Sequence, residues 1–114
     1  MVNESVVNGV RKYLRALQDQ GIVVKFGVIF GSQLTDKSDD WSDIDLLVVS
    51  PRFDDRRSRD DINLLWRLAA QTDNRIEPIP CGERQWFDDD ASAIIEIARR
   101  EGEAVTPLPP SLMP

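Results

Sequence analysis

The chain has 114 residues, of which 41% are hydrophobic and 30% are charged, as expected for one globular domain with its own core. It has no histidine and a single cysteine, Cys81, which excludes a zinc cluster, a histidine-based catalytic triad and an internal disulfide. The formal net charge of -6 disfavours a nucleic-acid polymer as substrate, because binding one normally requires a net basic surface.

No membrane segment is predicted. The longest apolar runs, at 26–31 and 44–49, are far too short to span a bilayer. The amino-terminal residues lack the layout of a signal peptide, so a cytoplasmic location is expected.

The first predicted element is an amphipathic helix over residues 5–18. Asn3 or Ser5 is expected to cap its start, and Gly21 follows its last turn, where a left-handed residue is common. Its apolar side chains recur at steps of three and four residues. They are Val6, Val7, Val10, Tyr13, Leu14 and Leu17.

Two strands with a polar connection are predicted next. Residues 22–30 are rich in β-branched and aromatic side chains and predict a buried strand, and residues 43–49 predict a second strand. The polar stretch 33–42 predicts a loop. The charged segment 51–57 is expected to be exposed.

A helix, a short strand and a last helix complete the predicted domain. Ser58 begins a capping box for a helix that runs to about Gln71. Residues 74–79 predict a third strand, in which Pro78 indicates a strand end or a sheet edge. A last helix is predicted near 90–101. Its cap is expected at Asp88, Asp89 or Asp90, its end at Gly102, and its buried stripe at Ile94, Ile95, Ile97 and Ala98.

The order of these elements is α-β-β-α-β-α, which predicts an α/β (α+β) fold with a small mixed sheet and helices packed on it. The domain is expected to cover residues 1–105. Residues 106–114 are rich in proline and predict an extended or disordered tail.

Two carboxylates open the second predicted strand. Asp43 and Asp45 are two residues apart, so they point to the same face of the strand, with Leu47 and Val49 continuing that face. Like charges that are partly buried repel each other and lose hydration, and Mg²⁺ would offset both effects. The alternative is that both acids lie at an exposed strand end and pair with lysine or arginine.

Gly31 and Ser32 directly follow the first predicted strand. A glycine allows close backbone approach or a positive φ, and successive amides with a serine hydroxyl can hold phosphate. Read alone, this pair is compatible with an ordinary turn. Ten residues separate it from Asp43, and two adjacent strands would place it beside the acids, where a magnesium-bridged triphosphate needs both.

The stretch FGSQLTDKSDDWSDIDLLVV resembles the signature of the minimal nucleotidyltransferases of the polymerase-β-like superfamily. That signature is Gly-Ser, about ten residues, then Asp-x-Asp, usually preceded by serine, which here is Ser42. The core of the match covers residues 26–49. The resemblance implies that Gly31 and Ser32 hold the nucleotide phosphates.

The same resemblance implies a metal and catalytic site made of three acids. Asp43 and Asp45 would ligate Mg²⁺, and a third carboxylate from a following strand would complete the site. Glu77 is the candidate for this third acid, at a position where the family more usually has aspartate. It would ligate metal or deprotonate the attacking hydroxyl.

The implied activity is transfer of a nucleoside monophosphate from Mg-ATP, or another nucleotide triphosphate, to a hydroxyl acceptor. Family members of this size are often encoded beside a helical HEPN-type protein, which implies an antitoxin role toward such a partner. Two alternatives stay open: a binding module that masks a partner without catalysis, and a non-enzymatic nucleotide sensor. An oligomer is compatible with the sequence.

Overall fold

In the computed structural model, the described residues are 3–31, 43–55, 58–88 and 92–109. Helices and strands alternate along them in the predicted order, with additional short elements. The helices are α1 (Glu4–Asp19), α2 (Arg52–Asp55), α3 (Arg59–Thr72), α4 (Glu83–Asp88) and α5 (Ala93–Glu101), and the strands are β1 (Phe26–Phe30), β2 (Ile44–Ser50), β3 (Ile76–Gly82) and β4 (Glu103–Val105).

The strands form one mixed sheet in the order β3-β2-β1-β4. β1 pairs antiparallel with both β2 and β4, whereas β2 and β3 are parallel. β2 is therefore an inner strand, and its side chains from Leu46 to Val49 are all buried. β3 is an edge strand, which agrees with the edge position predicted from Pro78.

Each face of the sheet packs against its own group of helices. On one face, α1 and α3 cover the side chains of Ile44, Leu46 and Val48. On the other face, α5 and the Trp86 ring cover Leu47 and Val49. The alternation predicted for the second strand is confirmed, because its odd- and even-numbered residues enter different cores.

Local sequence signals fix several helix ends. The side chain of Asn3 accepts from the amide of Ser5, so Asn3 caps α1. Ser58 caps α3 by accepting from the amide of Asp61. Gly21 has a φ of +92°, the left-handed conformation expected after the last turn of α1.

The last predicted helix needs two corrections. Its cap is Ser92, whose side chain accepts from the amide of Ile95, and not one of the preceding aspartates. Of its predicted buried stripe, Ile95 is buried with Ala98, but Ile94 and Ile97 are exposed. The cause is the width of the contact, since one layer of sheet buries only the side of a helix that faces it.

The strand bounds also differ from the prediction. β1 begins at Phe26, so residues 22–25 precede it, and β3 extends beyond the predicted 74–79 to Gly82. The strand β4 and the short helices α2 and α4 were not predicted. After β4, the carbonyl of Thr106 accepts from Arg11 Nε at 3.2 Å. None of the helices within the described ranges is long and apolar enough to cross a membrane.

Candidate active site

The end of β1 and the starts of β2 and β3 lie at the same end of the sheet, because β1 runs against the other two strands. Asp45 pairs with Phe30 of β1 on one side and with Glu77 of β3 on the other. Asp43 precedes Asp45 by two residues and shares its face of the sheet. Four predicted site residues, Gly31, Asp43, Asp45 and Glu77, are thereby brought together.

The carboxyl group of Glu77 makes hydrogen-bonding contacts with the side chains of Asp45 and Asp43. Burial and the negative charges of these two acids raise the pKa of Glu77 above its usual value. Asp45 and Glu77 are half-buried, whereas Asp43 is exposed. The site therefore opens to the surface on the Asp43 side.

Gly31 directly follows β1 and packs closely against Asp45. Its φ is +80°, a conformation that side chains with a Cβ rarely adopt. A Cβ at this position would lie 2.3 Å from Asp45 Oδ2. Two independent requirements thus select glycine here: the backbone turn and the space for the carboxylate.

The other predicted phosphate-binding residue, Ser32, lies outside the described residues. The same holds for Ser42 and for the polar stretch 33–42. Their predicted contributions to phosphate binding stay predictions.

Asp73 and Arg75 hold the start of β3 beside β2. The carboxylate of Asp73 accepts from Arg75 Nε at 2.9 Å and from Arg75 Nη2 at 2.7 Å, and these bonds lower the pKa of Asp73. The carbonyl of Arg75 accepts from the amide of Ile44 at 2.8 Å, between Asp43 and Asp45 in the chain. A Cβ on Gly9 of α1 would lie 2.5 Å from Asp73 Oδ2, so α1 also packs on this pair.

Sequence reasoning missed this pair. Its only sequence signal is an aspartate and an arginine two residues apart, directly after a predicted helix. That spacing is common in loops, so the sequence alone does not reveal the structural role that the pair has here. The pair fixes where β3 begins, and so which residue of β3 faces Asp45.

The chemistry of the donors fits a hard divalent cation, because the clustered side chains offer carboxylate oxygens only. Within the described ranges, no group of three or more histidine, cysteine, aspartate and glutamate side chains is arranged so that it could hold a metal ion. The acids instead contact one another through Glu77. A cation bound there would offset their repulsion.

This fold, with acids from two parallel strands beside a glycine-bearing turn, is that of a minimal nucleotidyltransferase. The family model for the nucleotidyltransferase domain matches residues 9–102, so the chain belongs to that family. The resemblance seen at residues 26–49 and the predicted fold class are both confirmed. No curated protein matches the chain. Nucleotidyl transfer is the general activity that the family supports.

Proposed function

We propose that the chain transfers a nucleoside monophosphate from a magnesium nucleotide triphosphate to a hydroxyl acceptor. The acceptor oxygen forms a bond to the α-phosphorus, the bond from that phosphorus to the bridging oxygen of the β-phosphate breaks, and pyrophosphate leaves. The hydroxyl proton passes to a carboxylate of the acid cluster. No covalent enzyme intermediate is needed, because the reaction depends on positioning and charge neutralisation.

One observation carries this proposal: the contact of Glu77 with Asp43 and Asp45 at the start of β2. The sequence left open whether Glu77 would face solvent on an edge strand. Glu77 pairs with Asp45 in the sheet, so the two side chains share one face, which supports a common role. Its raised pKa also favours proton acceptance, since a general base works best when its pKa lies closer to the working pH.

In the proposed reaction, Asp43 and Asp45 hold the metal and Glu77 either shares it or takes the acceptor proton. Bound Mg²⁺ would neutralise the charge of the phosphates and orient them. Gly31 leaves room for the carboxylate of Asp45, and Gly31 and Ser32 are the proposed phosphate ligands.

The test is transfer of label from nucleotide triphosphates labelled in the α-phosphate, with Mg²⁺ and a candidate acceptor. Asp43→Asn, Asp45→Asn and Glu77→Gln should each lower the rate, the last by about 10²–10⁴-fold if Glu77 is the base. Glu103→Gln is the matched control, because Glu103 is exposed on β4 and pairs with Ile29, away from the acid face. Equal rates for Glu77→Gln and Glu103→Gln would refute the role of Glu77.

For the acceptor, we propose a hydroxyl group on a helical HEPN-type partner, and a cytoplasmic antitoxin role with it. This finer proposal rests on the sequence resemblance. Incubation with such a partner and each labelled nucleotide identifies both the acceptor and the preferred base. If the partner binds equally to the unmodified chain and to Asp45→Asn, without label in either case, a masking module replaces the enzyme.

A further inference from the structure

The outer edge of β3 has an unusual set of backbone groups. The amide of Ile44 in β2 donates to the carbonyl of Arg75, so the odd-numbered residues of β3 direct their backbone groups toward β2. The even-numbered residues direct theirs away from the sheet. These residues are Ile76, Pro78, Pro80 and Gly82.

None of the four outward positions offers an N–H group to another strand. The two prolines have no amide hydrogen. The amide of Ile76 already donates to the carbonyl of Asp73 at 3.1 Å. The amide of Gly82 donates to Gln85 Oε1 at 3.2 Å. The outer edge of β3 therefore has carbonyl acceptors and no available donor.

A strand that joins a sheet edge needs both donors and acceptors from that edge, in alternation. Along β3, the incoming carbonyls would lose their partners, and the proline rings would occupy the positions of the missing amide hydrogens. We propose that β3 is a guarded edge, closed to strand addition by Pro78 and Pro80.

The position of this guarded edge gives it a consequence for the site. Glu77 directly precedes Pro78 in β3. It pairs with Asp45, so its side chain lies on the same face of the sheet as that acid. A strand added along β3 would bring a side chain next to Glu77 on that face. Within the described part of the chain, the guarded edge prevents strand addition on this side of the acid cluster, so a partner must dock by side-chain contacts or on another surface.

The test replaces both prolines with valine, which restores two amides and favours strands. Pro107→Val with Pro109→Val is the matched control, because these prolines have the same spacing but follow β4, outside the sheet. Sedimentation velocity is measured from micromolar to millimolar protein. The apparent mass of the Pro78→Val/Pro80→Val variant should rise with concentration, toward about twice the mass of one chain. This rise should exceed that of both the unmodified chain and the control.

Hydrogen exchange locates any new contact. The amides created at positions 78 and 80 should exchange more slowly as the protein concentration rises. A folded double variant whose mass follows that of the unmodified chain at all concentrations would overturn the proposal.

Two milder variants test the proposal if the double variant does not fold. Pro80→Val restores one amide at a half-buried position, and Gln85→Ala releases the amide of Gly82. Each should show a smaller concentration-dependent rise in mass, and no rise in either one overturns the proposal. Because none of these measurements uses nucleotide transfer, the outcome is independent of the proposed enzyme activity.

Discussion

Gly31→Ala should remove activity by displacing Asp45, and Gly21→Ala is its internal control. Both glycines have a positive φ, +80° at Gly31 and +92° at Gly21. A Cβ at Gly31 would lie 2.3 Å from Asp45 Oδ2, whereas a Cβ at Gly21 would meet nothing within 4 Å. The two substitutions share the backbone strain, but only Gly31→Ala adds a contact with the acid.

The shared strain sets the expected loss of stability. A left-handed residue with a Cβ is disfavoured by roughly 1–2 kcal/mol. The smaller freedom of alanine in the unfolded chain offsets about 0.4–1 kcal/mol of this. The net loss is therefore about 1 kcal/mol in each variant, which lowers the midpoint of thermal unfolding by about 4 °C in a domain of this size.

The difference between the variants comes from the carboxylate. Ordinary van der Waals contact begins at 3.4 Å, so Asp45 Oδ2 must move by the difference between 3.4 and 2.3 Å, that is 1.1 Å. A displacement of about 1 Å at a reacting centre lowers the rate by on the order of 10²-fold. Gly31→Ala should thus lose about 100-fold in label transfer. It should also bind Mn²⁺ more weakly in calorimetry, whereas Gly21→Ala keeps both.

Manganese binding without nucleotide separates displacement of Asp45 from loss of a phosphate contact. If Gly31→Ala binds Mn²⁺ and transfers label as well as Gly21→Ala does, the acid is not held where the structure has it. If both variants lose transfer equally, the effect comes from strain and not from the site.

Three further predictions concern unfolding by urea. Asp73→Asn should lower the free energy of unfolding by about 1–2 kcal/mol at neutral pH, since it weakens charged hydrogen bonds. Because the folded-state pKa of Asp73 is lowered, this stabilisation is present at pH values above its usual pKa of 3.8 and is lost as the pH falls through the folded-state pKa. A difference in unfolding free energy between the two proteins that does not change with pH would contradict this. Glu77→Gln should stabilise the metal-free chain in EDTA. Because the folded-state pKa of Glu77 is raised, this gain in unfolding free energy should be small below pH 4.5, the usual pKa, and should grow as the pH rises through the folded-state pKa. A gain that shrinks with rising pH would be evidence against the acid contact. Tyr13→Phe removes a buried 2.9 Å bond to the carbonyl of Leu65 and should cost about 0.5–1.5 kcal/mol; an unchanged unfolding midpoint would refute this.

The sequence predicted those parts of the fold that depend on local pattern. The alternation along β2 assigned Leu47 and Val49 to the face of the acids, because the side-chain period of a strand is two. The caps at Asn3 and Ser58 followed from side chains that satisfy amides two or three residues away.

Features that depend on distant pairing could not be predicted in this way. β4 has three residues, too few for a pattern, and Val105 is buried there by pairing with Gly27. Ile94 and Ile97 looked like core residues because α5 is apolar on more than one side. For the site, the motif predicted that the acids converge. The register that brings Glu77 to Asp45 depends on where β3 starts, which the sequence alone did not define.

The acid cluster works against the stability of the metal-free fold, and this links folding to the proposed activity. In the metal-free chain, burial and the negative charges of Asp43 and Asp45 raise the pKa of Glu77. A cation that binds only the folded chain stabilises it by RT ln(1 + [L]/Kd), and carboxylates bind a cation in their deprotonated form. Metal affinity should therefore rise with pH. The sheet can hold three acids together because they lie at its open end, where Asp43 keeps contact with water. A carboxylate placed two residues further along β2 than Asp45 would stand where Leu47 is buried in the core, where neither water nor an ion could reach it.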